Sequence, residues 1–217
     1  MTDQVPAPRR NDQLDKYMTQ VQGLVLLGGM VLLMWVLEIV NTIDSNGLDN
    51  DGIWARNFGH LWGILTAPFL HVSFQHLIAN TIPLVFMGVI IALHGAKRLA
   101  LVTVIVILVG GIGTWLIAPS HSITVGASGL VFGYATYLLI RGVFDRSVLE
   151  VFVGIVVGVI WGGALISSIV PHYGVSWQGH VCGAIGGVVA AYVLRRDRPA
   201  PTDAKPENTT AAGALPG

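Results

Sequence analysis

Six apolar runs, each about twenty residues long, dominate the chain, and that is the length an α-helix needs to cross the roughly 30 Å hydrocarbon layer of a bilayer. They fall at about 21–40, 72–93, 99–118, 124–140, 151–170 and 177–194, with polar or charged stretches between them. They also account for the composition, since only 11% of the 217 residues are charged against roughly 25% in soluble domains. The expected class is therefore an all-α membrane protein built from six transmembrane helices. Residues 1–20, with Pro6, Pro8, Arg9, Arg10 and Lys16, read as a polar N-terminal segment and not as a secretory signal, so the first span is expected to be retained. Residues 41–60, rich in Asp, Asn and Gly, form a long first loop. The organisation expected is an N-terminal segment at 1–20, a six-helix membrane domain at 21–194 and a disordered tail, rich in Pro, Ala and Thr, at 195–217.

Twelve Lys and Arg balance twelve Asp and Glu, so no basic field exists to hold a nucleic acid backbone. The single cysteine, Cys182, excludes an internal disulfide framework and any all-cysteine zinc site. There is no His-Glu-x-x-His motif and no pair of aspartates inside the spans, and no metal or cofactor is expected. Lys and Arg also orient the chain, because translocated loops are kept poor in them. With six spans both termini share a side, and eleven of the twelve basic residues fall on it; Arg56, in the first loop, is the exception. Both termini are thus expected in the cytoplasm, with the first loop outside.

Polar groups inside spans are costly in hydrocarbon and generally face a partner or a water-filled cavity. Three constellations stand out: His71, His76 and Asn80 at the start of span 2; Gly126-Ala127-Ser128-Gly129 at the start of span 4; and Gly179-His180 with Gly183 and Gly187 in span 6. Each has a plain structural reading on its own, as a contact of small residues or as a hydrogen-bonding group between helices. Height across the membrane joins them. Spans 2, 4 and 6 run in one direction, and Ser128 precedes the basic boundary at Arg141 by 13 residues, about 20 Å. His180 precedes Arg195 by 15 residues, about 22 Å, and Asn80 precedes Lys97 by 17, about 25 Å. All three groups converge in the outer half of the bilayer.

Gly129 with Gly133, and Gly183 with Gly187, are i,i+4 pairs that let two backbones approach, and His180 shares the face of the second pair. A serine hydroxyl becomes a nucleophile when a base takes its proton, and a neutral His within reach is the usual base. Ser128 and His180 read as such a dyad. Glu38, near the outer end of span 1, is the acid held inside a span; a structural hydrogen bond explains it, and a part in a triad stays open. His76 and Asn80 put two donors on one helix face, which with the Ser128 backbone N–H suits the oxyanion of acyl transfer. Bonding to a neighbouring helix is the alternative.

In combination these residues resemble the rhomboid intramembrane serine proteases. The His-x-x-x-Asn of that family falls on His76 and Asn80, its Gly-x-Ser-Gly on Gly126 to Gly129, and its Gly-His-x-x-Gly-x-x-x-Gly on Gly179 to Gly187. The likeness runs from about Leu61 to Leu194, with the preceding span and loop. It implies a six-helix rhomboid-like bundle with a long first outer loop and a cavity opening outward. It also implies Ser128 as nucleophile, His180 as general base, His76 and Asn80 as oxyanion donors, Phe132 as the aromatic on which the catalytic His packs, and His71 as a second His at the top of span 2. The implied partners are membrane proteins cleaved within or next to a transmembrane helix, with the lipid bilayer as the setting and the bacterial plasma membrane as the location. Two positions depart from the pattern. Trp62 is followed by Gly63 where many members have Arg, which removes a loop brace and leaves Trp54, Phe58 and Trp62 to anchor the loop; Ala67 replaces a His frequent in bacterial members, which makes the outer cavity less polar. An inactive rhomboid-like protein that binds membrane clients, or a small transporter, are the alternative functions.

The charge partition generates a test. A Lys205→Cys variant in a Cys182→Ala background should resist an impermeant thiol reagent in intact cells, while a cysteine in the first loop should react. Labelling at position 205 from outside would reverse the topology.

Overall fold

The computed structural model describes residues 10–171 and 174–195, and its architecture is helical. The helices are α1 (Arg10–Ile43), a short α2 (Gly63–Thr66), α3 (Phe74–Ala92), α4 (Ala96–Ile117), α5 (Ser128–Asp145), α6 (Val148–Ile169) and α7 (Trp177–Val193). Strand β1 (Ile53–Trp54) pairs antiparallel with β2 (Ile123–Thr124) in a ladder of two residue pairs. Serines start several helices by accepting a backbone N–H that the first turn leaves unpaired: Ser73 for α3, Ser147 for α6 and Ser176 for α7. Prolines follow the ends of α4 and α6, at Pro119 and Pro171.

Helices α1, α3, α4 and α6 are each long and apolar enough to cross a membrane. The other two long helices, α5 and α7, have 18 and 17 residues and carry Ser128 and His180. They occupy the middle of the molecule, where Tyr134, Tyr137 and Leu138 of α5 and Ala190 and Ala191 of α7 are fully buried. By contrast only 17% of the most apolar stretch of α6 is buried, so most of that helix faces lipid. The chain is thus a multi-pass, all-α membrane bundle.

Contact between backbones holds the centre together. A β-carbon on Gly183 would collide with the carbonyl oxygen of Gly129, and one on Gly187 with that of Gly133. On the other side of α7, a β-carbon on Gly186 would lie 3.0 Å from the Val106 Cα, so α4 also packs close, though less tightly than α5. Without a hydrophobic driving force between helices in lipid, such close packing supplies much of the association.

Three features depart from the sequence expectation. Helix α1 begins at Arg10, inside the 1–20 segment, and its 34 residues span about 50 Å, more than a bilayer core requires. Helix α5 runs on to Asp145 instead of ending at Arg141, because the charge is paired internally. Arg141, 2% exposed, meets Asp145 at 3.3 Å and Glu150 at 3.1 Å, and Glu150 also meets His94 at 3.0 Å. The charged stretch between the two spans thus holds a buried ion-pair group of Arg141, Asp145 and Glu150, while Val143, Val148 and Leu149 stay exposed. The 195–217 tail, apart from Arg195, lies outside the described residues, as do residues 1–9 of the N-terminal segment.

The third departure is in the long loop. A β-carbon on Gly63 would strike the carbonyl of Gly52, so no arginine could stand there with the chain on this path. Trp54 stacks on His60 at 5.0 Å, Trp62 approaches the same ring at 4.5 Å, and Phe58 meets Trp115 edge-on at 4.9 Å. Asn41, 1% exposed, ties both ends of the loop to α1: its amide donates to the carbonyl of His71 and to Asp49, both at 3.0 Å, and its oxygen accepts from Leu48 N–H. Burial outweighs the Asn41 donor and holds the Asp49 carboxyl above the usual carboxylate range.

Two outcomes follow from this packing. Gly183→Ala or Gly187→Ala should destabilise the fold by about 1–3 kcal/mol, because the new methyl meets backbone that cannot rotate away. Gly28→Ala, where nothing lies within 4 Å, should be neutral or stabilising. Equal melting temperatures in detergent for the three variants would contradict this account. Asp49→Asn keeps an acceptor for Asn41 and removes a carboxyl whose folded pKa is raised. Such a group favours the folded state at low pH and detracts from it as pH rises through its titration range. The variant should match or exceed the wild-type Tm at pH 7, the difference narrowing toward about pH 4; a lower Tm at pH 7 would refute it.

Candidate active site

Ser128 is the first residue of α5, and Ala127, which cannot cap, occupies the position before it. The serine hydroxyl is therefore not spent on capping, and the N–H groups of the first turn keep no side-chain acceptor. The approach to this helix is fixed by two hydrogen bonds. Gly126 N–H donates to the carbonyl of Ala67 at 2.9 Å, and Ala127 N–H donates to His71 Nε2 at 3.3 Å. Gly126 has φ 120°, a backbone conformation that a side chain would strain. Its bare Cα also makes room for α3. A β-carbon there would lie 2.9 Å from His76 Nε2 and 3.6 Å from Asn80 Nδ2.

His76 and Asn80 lie one turn apart on α3. The Ser73 cap accepts His76 N–H at 3.2 Å, which fixes the start of the helix and leaves the imidazole directed at Gly126. Asn80 is 7% exposed, and its Nδ2 is buried with no hydrogen-bond partner. An unpaired buried donor costs about 1–3 kcal/mol, so this amide is stored ready for an acceptor.

His180 lies on α7, three residues before Gly183, and is 7% exposed. Phe132, three residues past Gly129 on α5, stacks on its ring with centroids 4.4 Å apart and planes 9° from parallel. The Nδ1 of His180 lies 2.8 Å from the backbone carbonyl of Ser168, near the end of α6. A carbonyl only accepts, so Nδ1 carries the proton and Nε2 keeps its lone pair. The last carbonyls of a helix have no partner within it, and Ser168 thereby finds one.

These groups share one cavity of about 890 Å³, lined by Ser128, His180, His76, Asn80 and Phe132 and walled by Trp161 and Trp177. No hydrogen bond joins Ser128 to His180 among the described residues, as is common where such contacts tighten only with substrate bound. A second cavity, of about 40 Å³, lies against the other side of Ser128 and is bounded by Ile64, Gly110 and Thr114. Ala67 lines this smaller space and not the larger one, so its effect on polarity falls there. Glu38 lines neither; it is 1% exposed, with Oε2 unpartnered on α1. The third position beside the imidazole is held by the Ser168 carbonyl. Ser168 carries no signal in the sequence, because a backbone acceptor leaves no side-chain signature. His71 was visible in the sequence without a task, and the structure gives it one beneath Ala127. Among the described residues no cluster of three or more His, Cys, Asp or Glu could hold a metal ion.

A half-buried serine at a helix start, an imidazole of fixed tautomer and two donors around one cavity can in principle support acyl transfer. Comparisons with known proteins identify the family. The Rhomboid domain family matches residues 58–197, more than half of the chain. An uncharacterized protein of Mycobacterium leprae is 44% identical over 183 residues, covering 80% of this chain and 72% of its own length. An uncharacterized protein of Mycobacterium tuberculosis is 41% identical over 173 residues, covering 76% of this chain and 72% of its own. Rhomboid protease GluP of Bacillus subtilis is 28% identical over 176 residues, which is 76% of this chain and 33% of that protein. The chain belongs to the rhomboid family of intramembrane proteases and is a multi-pass membrane protein.

Proposed function

We propose that the protein is an intramembrane serine endopeptidase that cleaves other membrane proteins within or next to a transmembrane helix. The observation that carries this reading is the tautomer of His180, fixed by the Ser168 carbonyl, on a residue that lines one cavity with Ser128, His76 and Asn80. In the proposed reaction Ser128 Oγ attacks the scissile carbonyl while His180 Nε2 takes its proton. The oxyanion that forms accepts hydrogen bonds from His76, Asn80 and the Ser128 backbone N–H. His180 then gives its proton to the leaving amine, the peptide C–N bond breaks, and an ester to Ser128 remains. Water, deprotonated by the same imidazole, releases the acid and restores the serine. The Ser168 carbonyl stabilises the imidazolium in both half-reactions without becoming charged. Phe132 holds the ring plane. The basic residues flanking the helices and the mycobacterial and Bacillus relatives support a plasma-membrane location with both termini in the cytoplasm.

Purified protein in detergent, incubated with single-span membrane substrates, tests the proposal. Ser128→Ala and His180→Ala should each abolish cleavage in folded protein, and the double variant should be no worse than either. Asn80→Ala should lower kcat by about 10²–10³ with KM little changed, since an oxyanion donor acts on the transition state. Substantial cleavage by Ser128→Ala would end the serine-protease reading, and no cleavage by the folded wild type would favour a client-binding or transporting relative. An Asn80→Ala variant with raised KM and unchanged kcat would remove the oxyanion role.

A further inference from the structure

We propose that Arg56 is a positioning residue that sets the register of the segment delivering Ser128. This rests on the serine-protease reading above. In the sequence Arg56 is the one basic residue assigned to the outer side. In the structure its guanidinium reaches across to the end of α4: Nη1 donates to the carbonyls of Leu116 at 2.8 Å and Ala118 at 2.7 Å, and Nη2 donates to Ser120 Oγ at 2.8 Å. Its backbone N–H donates to the carbonyl of Trp115 at 3.0 Å. One residue thus engages two of the last carbonyls of α4, where a cation also complements the helix dipole. To do so it takes φ 56°, a left-handed conformation that residues with a side chain adopt when surrounding contacts hold them there.

Past this clasp, the chain from α4 to α5 is stitched to the long loop almost residue by residue. Ala55 N–H donates to the carbonyl of Ser122 at 3.3 Å, Trp54 pairs with Ile123, and Ile53 pairs with Thr124. Gly126 and Ala127 then bond to Ala67 and His71, and Ser128 follows. A ladder of two residue pairs specifies its register weakly, and a slip of one residue would turn every side chain to the opposite face. It would also carry Gly126 away from His76 and Asn80. The planar guanidinium, which can hold three acceptors in one geometry, supplies a fixed end to this ladder that an ammonium cannot reproduce. Arg56 is itself exposed and stands apart from the cavity that holds Ser128 and His180, so its effect is on geometry alone.

The test uses the intact protein in detergent. Labelling by a fluorophosphonate probe, present in wild type and absent in Ser128→Ala, is measured first; its failure in wild type would overturn the protease reading and the proposal with it, whereas the Arg56 variants below test the proposal alone. With that established, Arg56→Ala and Arg56→Lys are compared per folded molecule. Arg56→Ala should lower kcat and the fluorophosphonate labelling rate together by about tenfold, as expected for slight misplacement of reacting groups, with KM within about twofold. Arg56→Lys should recover only part of that loss. If Arg56→Ala lowers the melting temperature but leaves both rates per folded molecule unchanged, Arg56 only holds the loop and the proposal fails. It fails equally if KM rises at constant kcat, or if lysine restores full activity.

Discussion

Everything at the site depends on how closely α5 and α7 approach. In lipid, apolar side chains are as well solvated outside the protein as inside it, so helices associate where backbones can touch. Gly129 against Gly183 and Gly133 against Gly187 provide that contact. Phe132 stands three residues beyond Gly129 and His180 three before Gly183, so the same crossing that seats the glycines stacks the two rings. Larger residues at the crossing would separate the rings first.

The central helices also show why a membrane protein concentrates polarity in its middle. Helix α5 carries Ser128 at one end and the buried Arg141 toward the other, and it is surrounded by helices apolar enough to face lipid. Arg141 remains inside because Asp145 and Glu150 pair with it. A charge that would be costly in hydrocarbon becomes, in protein surroundings, a tie between α5 and the start of α6.

The helices were legible in the sequence because length and hydropathy determine them, and the spacing of Ser128, His180, His76 and Asn80 was legible because helical rise converts residue number into height. What was not legible follows a common cause. Hydropathy treats every charge as a boundary, so Arg141 was placed at the end of a span when its partners lie one turn on and in the next helix. Ser168 contributes a carbonyl, which any residue has. Arg56 stands out in the sequence as an exception to the charge partition, but its three acceptors lie 60 to 64 residues away, at the end of α4 and in the turn after it, whose path no local pattern specifies. Gly63, which looked like the loss of a brace, is instead required by the crossing of the loop over Gly52.

The hydrogen bond from His180 to Ser168 runs between helices of unequal footing. Helix α7 is locked between α4 and α5 by backbone contact, whereas α6 presents most of its surface to lipid and forms a wall of the larger cavity through Trp161 and Ser168. An outward swing of α6 wide enough to widen the cavity on that side would lengthen the bond and release the imidazole to exchange its proton between the two nitrogens. The tautomer of the imidazole is thereby tied to the position of a helix that little of the protein surrounds.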